Sequence, residues 1–248
     1  MVWVRGRAYV RSMQVRLTIQ PNRGTLLIAA LFAAVAAVFV PALAHMGNSL
    51  PAGPPAPALL PACQVGDLPA RHAGYDQWAD TLLDTTRRLP LRYVPPDLVP
   101  FEDGQRRITL RRFVVPDLAA MLAAARADGV EIGVSSGYRS YQRQAAVYQQ
   151  LREEHGEPYA DLSAARPGHS EHQLGTTVDL KGGAEWLAGN AWRFGFVRSY
   201  PHGRSPAWTC YKPESWHYRY FGRQRAAQIH TTGLSPREWL WLNTAALD

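Results

Sequence analysis

The sequence predicts a single α+β domain in which helices flank a central antiparallel sheet. Apolar residues at helical spacing cover residues 115–128 and 141–154, and the short apolar run at 130–135 between them is typical of a strand. Two later segments, around Asp179 and at 216–221, are rich in the β-branched or aromatic residues that favour strands. Helix, strand, helix and then further strands give an α+β domain.

The clearest helix covers residues 115–128. Pro116 lies at its start, where a missing backbone N–H is tolerated, and Gly129 follows its end. Its apolar residues share one face, namely Leu118, Met121, Leu122 and Ala125. The second helix, 141–154, carries Gln144 in its first turns. The strand between these helices therefore leads directly into the segment that precedes Gln144.

Residues 75–88 are also predicted to form a helix, which ends before Pro90. Their apolar side chains lie on one side of that helix, namely Trp78, Leu82 and Leu83. The C-terminal residues 235–242 are predicted to form another helix with a capping box, built from Ser235, Pro236 and Glu238. Its apolar residues are expected to pack against the domain, namely Trp239, Leu240 and Leu242.

The N-terminus has the order of segments found in secretory signals. Five arginines precede an apolar run at 26–40, which ends in an A-x-A site before His45. We therefore expect a signal peptide at 1–44, or alternatively an uncleaved membrane anchor. A Pro- and Ala-rich linker is expected at 45–62 and the folded domain at 63–248. The protein is thus predicted to be exported, with membrane contact only through the N-terminal segment.

The net charge of +7 does not predict a nucleic-acid partner. Five of the 27 basic residues and none of the 20 acidic ones precede His45, which leaves 22 basic against 20 acidic residues in the predicted mature chain. A balance this even requires no polyanionic partner. We expect no nucleic-acid binding, and we expect a monomer.

Two cysteines, Cys63 and Cys210, occur in the chain. In an exported protein an even number favours a disulfide, which here would tie the start of the domain to the segment before Glu214. The alternative is a pair of free thiols. Metal binding by the two cysteines is disfavoured because other residues already supply a suitable ligand set.

That ligand set consists of His172, Asp179 and His217. Two imidazoles and one carboxylate are the ligands that catalytic zinc sites use, with a further position open to water. Glu214, three residues before His217, is placed to act as a general base. Zinc lowers the pKa of water towards about 7, so a nearby carboxylate can take its proton during attack on a carbonyl. The four residues together predict hydrolytic chemistry.

Local geometry constrains where Glu214 can lie. Residues three apart on a straight strand face opposite sides, so Glu214 is expected in a turn before the strand that carries His217. Pro213 suits such a turn. His169 lies three residues before His172 and offers a second candidate ligand pair.

At these residues the sequence resembles a known family. Residues 170–179 have the pattern S-x-H-x-x-G-x-x-x-D, and residues 214–217 have the pattern E-x-W-H. Both are similar to motifs of the VanY-type zinc D,D- and L,D-carboxypeptidases of bacterial cell walls. Residues 136–144 resemble that family's S-G-Y-R-S-x-x-x-Q segment. The resemblance covers about residues 89–242, and it departs from the family in Thr177, where alanine is common.

The resemblance implies roles for further residues. Arg139 would bind the substrate carboxylate and stabilise charge in the transition state, since a guanidinium pairs with a carboxylate through two hydrogen bonds. Gln144 and Ser170 would line the substrate pocket. The resemblance assigns the metal to His172 and not to His169. Zinc would be the cofactor, and peptidoglycan stem peptides ending in D-alanine would be the substrates. The implied enzyme is a D-alanyl-D-alanine carboxypeptidase.

Three alternatives remain at the level of sequence. An L,D-carboxypeptidase or a peptidoglycan endopeptidase would use the same zinc site on a different bond. A wall-binding module would keep the metal for structure alone. Glu214 and Arg139 count against that last alternative, because a binding module needs no general base beside an open metal position.

Overall fold

The computed structural model describes residues 59–104 and 106–244. The predicted signal peptide or anchor at 1–44 and residues 45–58 of the predicted linker lie outside the described residues. In the described part of the chain, no helix combines the length and apolar character that crossing a bilayer requires. The strands there are β1 Leu68–Pro69, β2 Arg87–Arg88, β3 Leu98–Glu102, β4 Arg107–Arg111, β5 Gly133–Ser136, β6 Thr177–Lys181, β7 Phe196–Arg198 and β8 His217–Tyr220.

The helices alternate irregularly with these strands, as expected for an α+β domain. The α-helices within the described ranges are α1 Val115–Ala127, α2 Tyr141–His155, α3 Glu157–Ser163, α4 Ala184–Asn190, α5 Pro206–Thr209, α6 Arg223–Thr232 and α7 Pro236–Thr244. Short 3-10 helices cover Arg112–Val114, Glu171–Leu174 and Ala191–Phe194. The predicted helices at 115–128, 141–154 and 235–242 are confirmed.

The central sheet has four antiparallel strands in the order β5-β6-β8-β7. Asp179 on β6 lies opposite Ser136 on β5 and opposite His217 on β8. Opposed residues on antiparallel strands point to the same face of a sheet. The register therefore brings the predicted ligands Asp179 and His217 together on the two inner strands.

The other face of the sheet forms the main core. Val178 and Tyr218 are opposed on β6 and β8 and are almost fully buried. They belong to the same apolar cluster as the buried face of α1, which consists of Leu118, Met121, Leu122 and Ala125. Alternation along β6 and β8 thus gives one face to the core and the other to the predicted site.

The predicted helix at 75–88 is wrong. The segment consists of turns and irregular backbone and ends in the short strand β2. Leu82 and Leu83 belong to two different apolar clusters, so they do not serve one helix face. The backbone carbonyls of Trp78 and Thr81 accept hydrogen bonds from the Arg219 guanidinium, at 2.7 and 2.9 Å, instead of from helical N–H groups.

The C-terminal helix α7 has the predicted capping box. The Glu238 carboxylate accepts hydrogen bonds from the Ser235 backbone N–H at 2.9 Å and from its hydroxyl at 2.7 Å. Trp239 and Leu240 are buried, as expected. Leu242 is 42% exposed, so its predicted packing role is wrong. Leu240 and Leu242 are two residues apart, which places them about 200° apart around a helix.

A disulfide joins Cys63 to Cys210, with their Cα atoms 5.2 Å apart. The bond links positions 147 residues apart in the sequence. Cys210 is buried in one apolar cluster with Tyr200 and Tyr211, and Tyr211 lies three residues before Glu214. The bridge predicted from the sequence is therefore present, and it connects the start of the described chain to the functional region.

Replacing both cysteines by alanine is expected to lower the free energy of unfolding by about 2 to 5 kcal/mol, because the unfolded chain loses a long-range restraint. Urea unfolding of the parent and of the double variant measures this difference. A reducing agent should destabilise the parent and leave the double variant unchanged. Equal unfolding midpoints for the two proteins would contradict the prediction.

Candidate active site

Two of the three predicted metal ligands come from one short segment. His172 lies in the 3-10 helix Glu171–Leu174, whose first turn is capped by the Ser170 hydroxyl accepting from the His172 N–H. Gly175 then ends this helix with φ at 72°. A side chain at this position would be strained by the backbone conformation. Its Cβ would also lie only 3.0 Å from the side chains of Arg111 on β4 and Leu98 on β3. The sharp turn leads into β6, which carries Asp179.

The ligand atoms of His172, Asp179 and His217 all lie within 4.8 Å of one another. His172 Nε2 is 3.3 Å from Asp179 Oδ2, and His217 Nδ1 is 3.5 Å from Asp179 Oδ1. The two imidazole planes are nearly perpendicular, at 89°. Three converging N and O donors match the ligand set of a catalytic zinc site.

Each imidazole is oriented by a hydrogen bond on the ring nitrogen that points away from Asp179. His172 Nδ1 contacts the Gly137 carbonyl at 2.7 Å, and His217 Nε2 contacts the Glu171 carboxylate at 2.9 Å. An acceptor at one ring nitrogen fixes the proton there and leaves the lone pair of the other nitrogen for a metal. The remaining nitrogens, His172 Nε2 and His217 Nδ1, are the two that face Asp179.

The contact at Gly137 depends on the absence of a side chain. A Cβ at this position would lie 2.6 Å from the Thr109 carbonyl oxygen of β4, well inside van der Waals contact. Because glycine lets the backbone approach β4, the Gly137 carbonyl reaches His172. Gly137, in the motif at residues 136–144, therefore helps to position the predicted ligand His172.

Asp179 gives a direct test of whether a cation fits. Its Oδ1 atom is buried and forms no hydrogen bond. Buried carboxylate oxygens are rarely left without a partner, and a metal ion would satisfy this one. Burial disfavours ionisation of Asp179, but the imidazoles outweigh it and hold its pKa well below the ordinary value. The site is therefore suited to zinc, with His172, Asp179 and His217 as the residues that would bind it.

The electrostatics of His217 agree with that conclusion. Burial disfavours protonation of this imidazole, but the adjacent carboxylates of Asp179 and Glu171 raise its pKa above the ordinary value. Carboxylates that favour a proton at this position also favour a cation. A metal ion would therefore compete with the proton at Nδ1.

Glu214 lies in irregular backbone before β8, as the strand geometry predicted. Its N–H donates to the Tyr200 carbonyl at 2.9 Å, and its Oε2 lies 3.4 Å from His217 Nδ1. Burial raises the pKa of Glu214 to about 7, with His217 lowering it and Asp179 raising it further. A carboxyl group of this pKa beside a metal site is suited to accept and return a proton near neutral pH.

Arg139, from the motif at residues 136–144, extends towards the same group. Its Nη1 donates to Gln144 Oε1 at 2.8 Å, and its Nη2 donates to the Ser136 hydroxyl at 3.2 Å and lies 3.4 Å from Asp179 Oδ2. Gln144 is 1% exposed, and its amide nitrogen donates to the Ala165 carbonyl at 2.6 Å. Both ends of the Gln144 amide are engaged, so this residue fixes the orientation of Arg139.

One pocket, with a volume of about 200 Å³, contains every site residue predicted from the sequence. Its lining includes Arg139, Gln144, Ser170, His172, Asp179, Glu214 and His217. Trp216, which is 47% exposed, also contributes to the wall. His169 is not part of this lining, because it is buried against the Asp84 carbonyl at 2.7 Å and the Asp67 carboxylate at 3.1 Å.

Sequence reasoning missed four residues of the site region. Glu171 and Arg219 form a buried ion pair beside His217, and Tyr200 and Tyr211 line the pocket. For two of them a signal existed. Glu171 directly precedes the predicted ligand His172, and Arg219 follows His217 by two residues and therefore shares its strand face.

Comparison with known proteins agrees with this geometry. A family model described as VanY, D-alanyl-D-alanine carboxypeptidase, matches residues 107–223. A D-alanyl-D-alanine carboxypeptidase of Enterococcus faecalis is 34% identical over 190 residues, which cover 69% of this chain and 69% of the relative. The chain belongs to the VanY family. The putative carboxypeptidase YodJ of Bacillus subtilis is 31% identical over 179 residues. The match covers 64% of this VanY-family chain and 65% of YodJ, so the chain spans just under two thirds of that relative.

Solved structures of the VanY family and of a related enzyme are similar to this chain. A VanY D,D-pentapeptidase from a VanB-type resistance cassette, in complex with Zn(II), has a TM-score of 0.60 at 32% identity, and the match covers 66% of this chain and 99% of that one. VanYB in complex with D-alanine-D-alanine has the same TM-score and identity, with 66% and 97% covered. The LdcB LD-carboxypeptidase has a TM-score of 0.59 at 32% identity, with 65% and 85% covered. The α+β zinc-peptidase fold is therefore that of the VanY family.

Proposed function

We propose that this VanY-family chain is a zinc D-alanyl-D-alanine carboxypeptidase that removes the terminal D-alanine of peptidoglycan stem peptides. The observation that carries the proposal is the position of Glu214, whose carboxylate lies 3.4 Å from His217 Nδ1 inside the pocket of the three metal ligands. A site that only held a structural metal would have no use for this acid. The VanYB complex with D-alanine-D-alanine supports the choice of substrate.

In this proposal His172, Asp179 and His217 hold the zinc. Bound zinc would supply Lewis-acid chemistry, which lowers the pKa of water and polarises a carbonyl group. The Gly137 carbonyl and the Glu171 carboxylate keep the two imidazoles in the orientation that zinc needs. The protein residues thus define the position of the metal relative to the pocket.

Glu214 acts as the general base and then as the general acid. It accepts a proton from the water that attacks the carbonyl before the terminal D-alanine, and it delivers that proton to the leaving amine. The net reaction is hydrolysis of one amide bond. Burial of Glu214 keeps its pKa close to neutrality, which suits both steps.

Arg139 binds the free carboxylate of the substrate and stabilises the negative charge that develops on the carbonyl oxygen. Its guanidinium is held by Gln144 and Ser136, so little conformational freedom is lost when a substrate binds. Gln144 and Ser170 complete this side of the pocket. A requirement for a free C-terminus follows from this role of Arg139.

The similarity to LdcB favours a second candidate, an L,D-carboxypeptidase acting on tetrapeptides. The metal ligands, Glu214 and Arg139 would have the same roles on that substrate. The two activities differ in the configuration of the residue that precedes the cleaved bond. Substrate cleavage therefore has to distinguish them.

We further propose that the enzyme is exported and acts as a monomer outside the cytoplasm, with residues 1–44 as signal peptide or anchor, 45–62 as linker and 63–248 as the catalytic domain. The basic and apolar order of the first segment supports export. The disulfide between Cys63 and Cys210 supports an oxidising compartment, where such bonds persist.

Mass spectrometry of defined muropeptides tests the activity. The protein should remove one alanine from a pentapeptide, lose this activity with a chelator and regain it with zinc. Cleavage of the tetrapeptide alone would support the L,D-activity instead. If neither peptide is cleaved by zinc-loaded protein, the carboxypeptidase proposal is wrong.

A further inference from the structure

Glu171 is a buried carboxylate that directly contacts a predicted metal ligand. The residue is 5% exposed, and its Oε2 accepts hydrogen bonds from His217 Nε2 at 2.9 Å and from the Ser199 hydroxyl at 2.6 Å. Its Oε1 accepts a hydrogen bond from Arg219 Nη1 at 3.0 Å. Both carboxylate oxygens of Glu171 are therefore engaged in hydrogen bonds.

The partner arginine is itself fixed. Arg219 is fully buried, and its Nη2 donates to the backbone carbonyls of Trp78 at 2.7 Å and Thr81 at 2.9 Å. His217 and Arg219 are two residues apart on β8, so both reach Glu171 from one face of the strand. The segment around residues 78–81 thus holds Arg219, Arg219 holds Glu171, and Glu171 contacts His217.

The chemistry of these groups determines the tautomer of His217. An ionised carboxylate only accepts hydrogen bonds, so His217 Nε2 has to carry the proton that it shares with Glu171. The neutral ring then has its lone pair on Nδ1. This is the nitrogen that faces Asp179 Oδ1 at 3.5 Å and Glu214 Oε2 at 3.4 Å.

We propose that Glu171 is a positioning residue for zinc. It fixes the tautomer and the ring orientation of His217, and Arg219 and Ser199 keep its carboxylate in place. The inference rests on the metal site in the proposed function. It concerns zinc affinity in the absence of substrate, so an error in the assigned substrate would leave it intact.

The substitution Glu171→Gln tests this role, because the amide cannot satisfy all its neighbours. If its oxygen faces Arg219, its NH₂ group faces His217 and favours the tautomer with the proton on Nδ1. If its oxygen faces His217, its NH₂ group faces the donors of Arg219. Loss of such an outer partner weakens metal binding by about 10- to 100-fold in comparable sites.

A matched control distinguishes positioning from stability. Asp84 is an equally buried carboxylate that accepts from Arg237 at 2.9 Å, and its side chain contacts none of the three ligands. Asp84→Asn should lower the thermal midpoint as Glu171→Gln does. Its zinc dissociation constant should stay within about threefold of the parent value, because the ligand geometry is untouched.

The measurement is competition of each metal-free protein with a chromophoric chelator for zinc, alongside the thermal midpoint of each variant. ¹⁵N NMR of the histidine rings in the zinc-loaded proteins reports which nitrogen of His217 carries a proton. We expect about 10- to 100-fold weaker zinc binding for Glu171→Gln and a changed His217 signal. Zinc affinity equal to that of Asp84→Asn would overturn the proposal.

A milder variant covers the case in which Glu171→Gln does not fold. Ser199→Ala removes one hydrogen bond to the same carboxylate oxygen and leaves the charge in place. It should weaken zinc binding by about threefold or more, since the carboxylate that orients His217 is less constrained. Unchanged zinc affinity in this variant would equally overturn the proposal.

Discussion

Replacing Glu214 by glutamine is expected to lower kcat on the pentapeptide by about 10²- to 10⁴-fold, the usual contribution of a general acid–base group. The amide has nearly the same size and can accept a hydrogen bond, but it cannot take the proton of the attacking water. Substrate binding should change little, because the binding contacts of Arg139 are retained. The measurement is kcat and KM from alanine release by mass spectrometry.

The control for this variant is Glu185→Gln, which removes an exposed glutamate outside the pocket. That control should keep the parent kcat. Zinc content and thermal midpoint, measured on the same samples, show that Glu214→Gln retains the metal and the fold. A zinc-loaded Glu214→Gln protein with a kcat within about threefold of the parent would rule out Glu214 as the base.

Replacing Arg139 by lysine is expected to lower kcat/KM by about 10²- to 10³-fold, which is typical for the loss of a donor to a developing oxyanion. Lysine keeps the positive charge but not the planar pair of donors that binds a carboxylate. It also cannot reproduce the contacts to Gln144 and Ser136. The exposed neighbour Arg143 offers a matched control, and Arg143→Lys should leave kcat/KM unchanged.

A second substrate isolates the carboxylate-binding role of Arg139. A peptide whose C-terminus is an amide should be a poor substrate for the parent protein, because it offers no carboxylate to the guanidinium. The penalty for the amide should shrink in Arg139→Lys, since two changes that remove one interaction are not additive. Equal penalties in both proteins would place the carboxylate contact on another residue.

Much of the fold could be predicted because local sequence and tertiary packing agree there. In α1, the residues at helical spacing are the ones that the sheet buries, so the pattern and the packing describe the same face. The segment at 75–88 has a similar apolar pattern and was mispredicted. Its leucines pack in two clusters and its carbonyls bind Arg219, a residue about 140 positions away that no local pattern can indicate.

The site, too, could be predicted from the sequence only in part. His172, Asp179, His217 and Glu214 carry chemistry that their residue types and spacing reveal, and the structure brings them into one pocket together with Arg139. The positions of Glu171 and Arg219 beside the predicted ligands are visible in the sequence, but their burial is not, because glutamate and arginine are mostly surface residues. Only the structure shows that they are almost fully buried and paired.

The sequence by itself determined the family resemblance, the residue types of the candidate zinc site, the main helices and the proposed base, because each depends on side-chain chemistry or on local periodicity. The tertiary structure decided which strands are neighbours, that Asp179 and His217 oppose each other in register, and which ring nitrogen of each histidine faces the metal position. These features depend on contacts between residues far apart in the chain. The hydrogen bonds and ion pairs between these residues become strong only when folding excludes water from them.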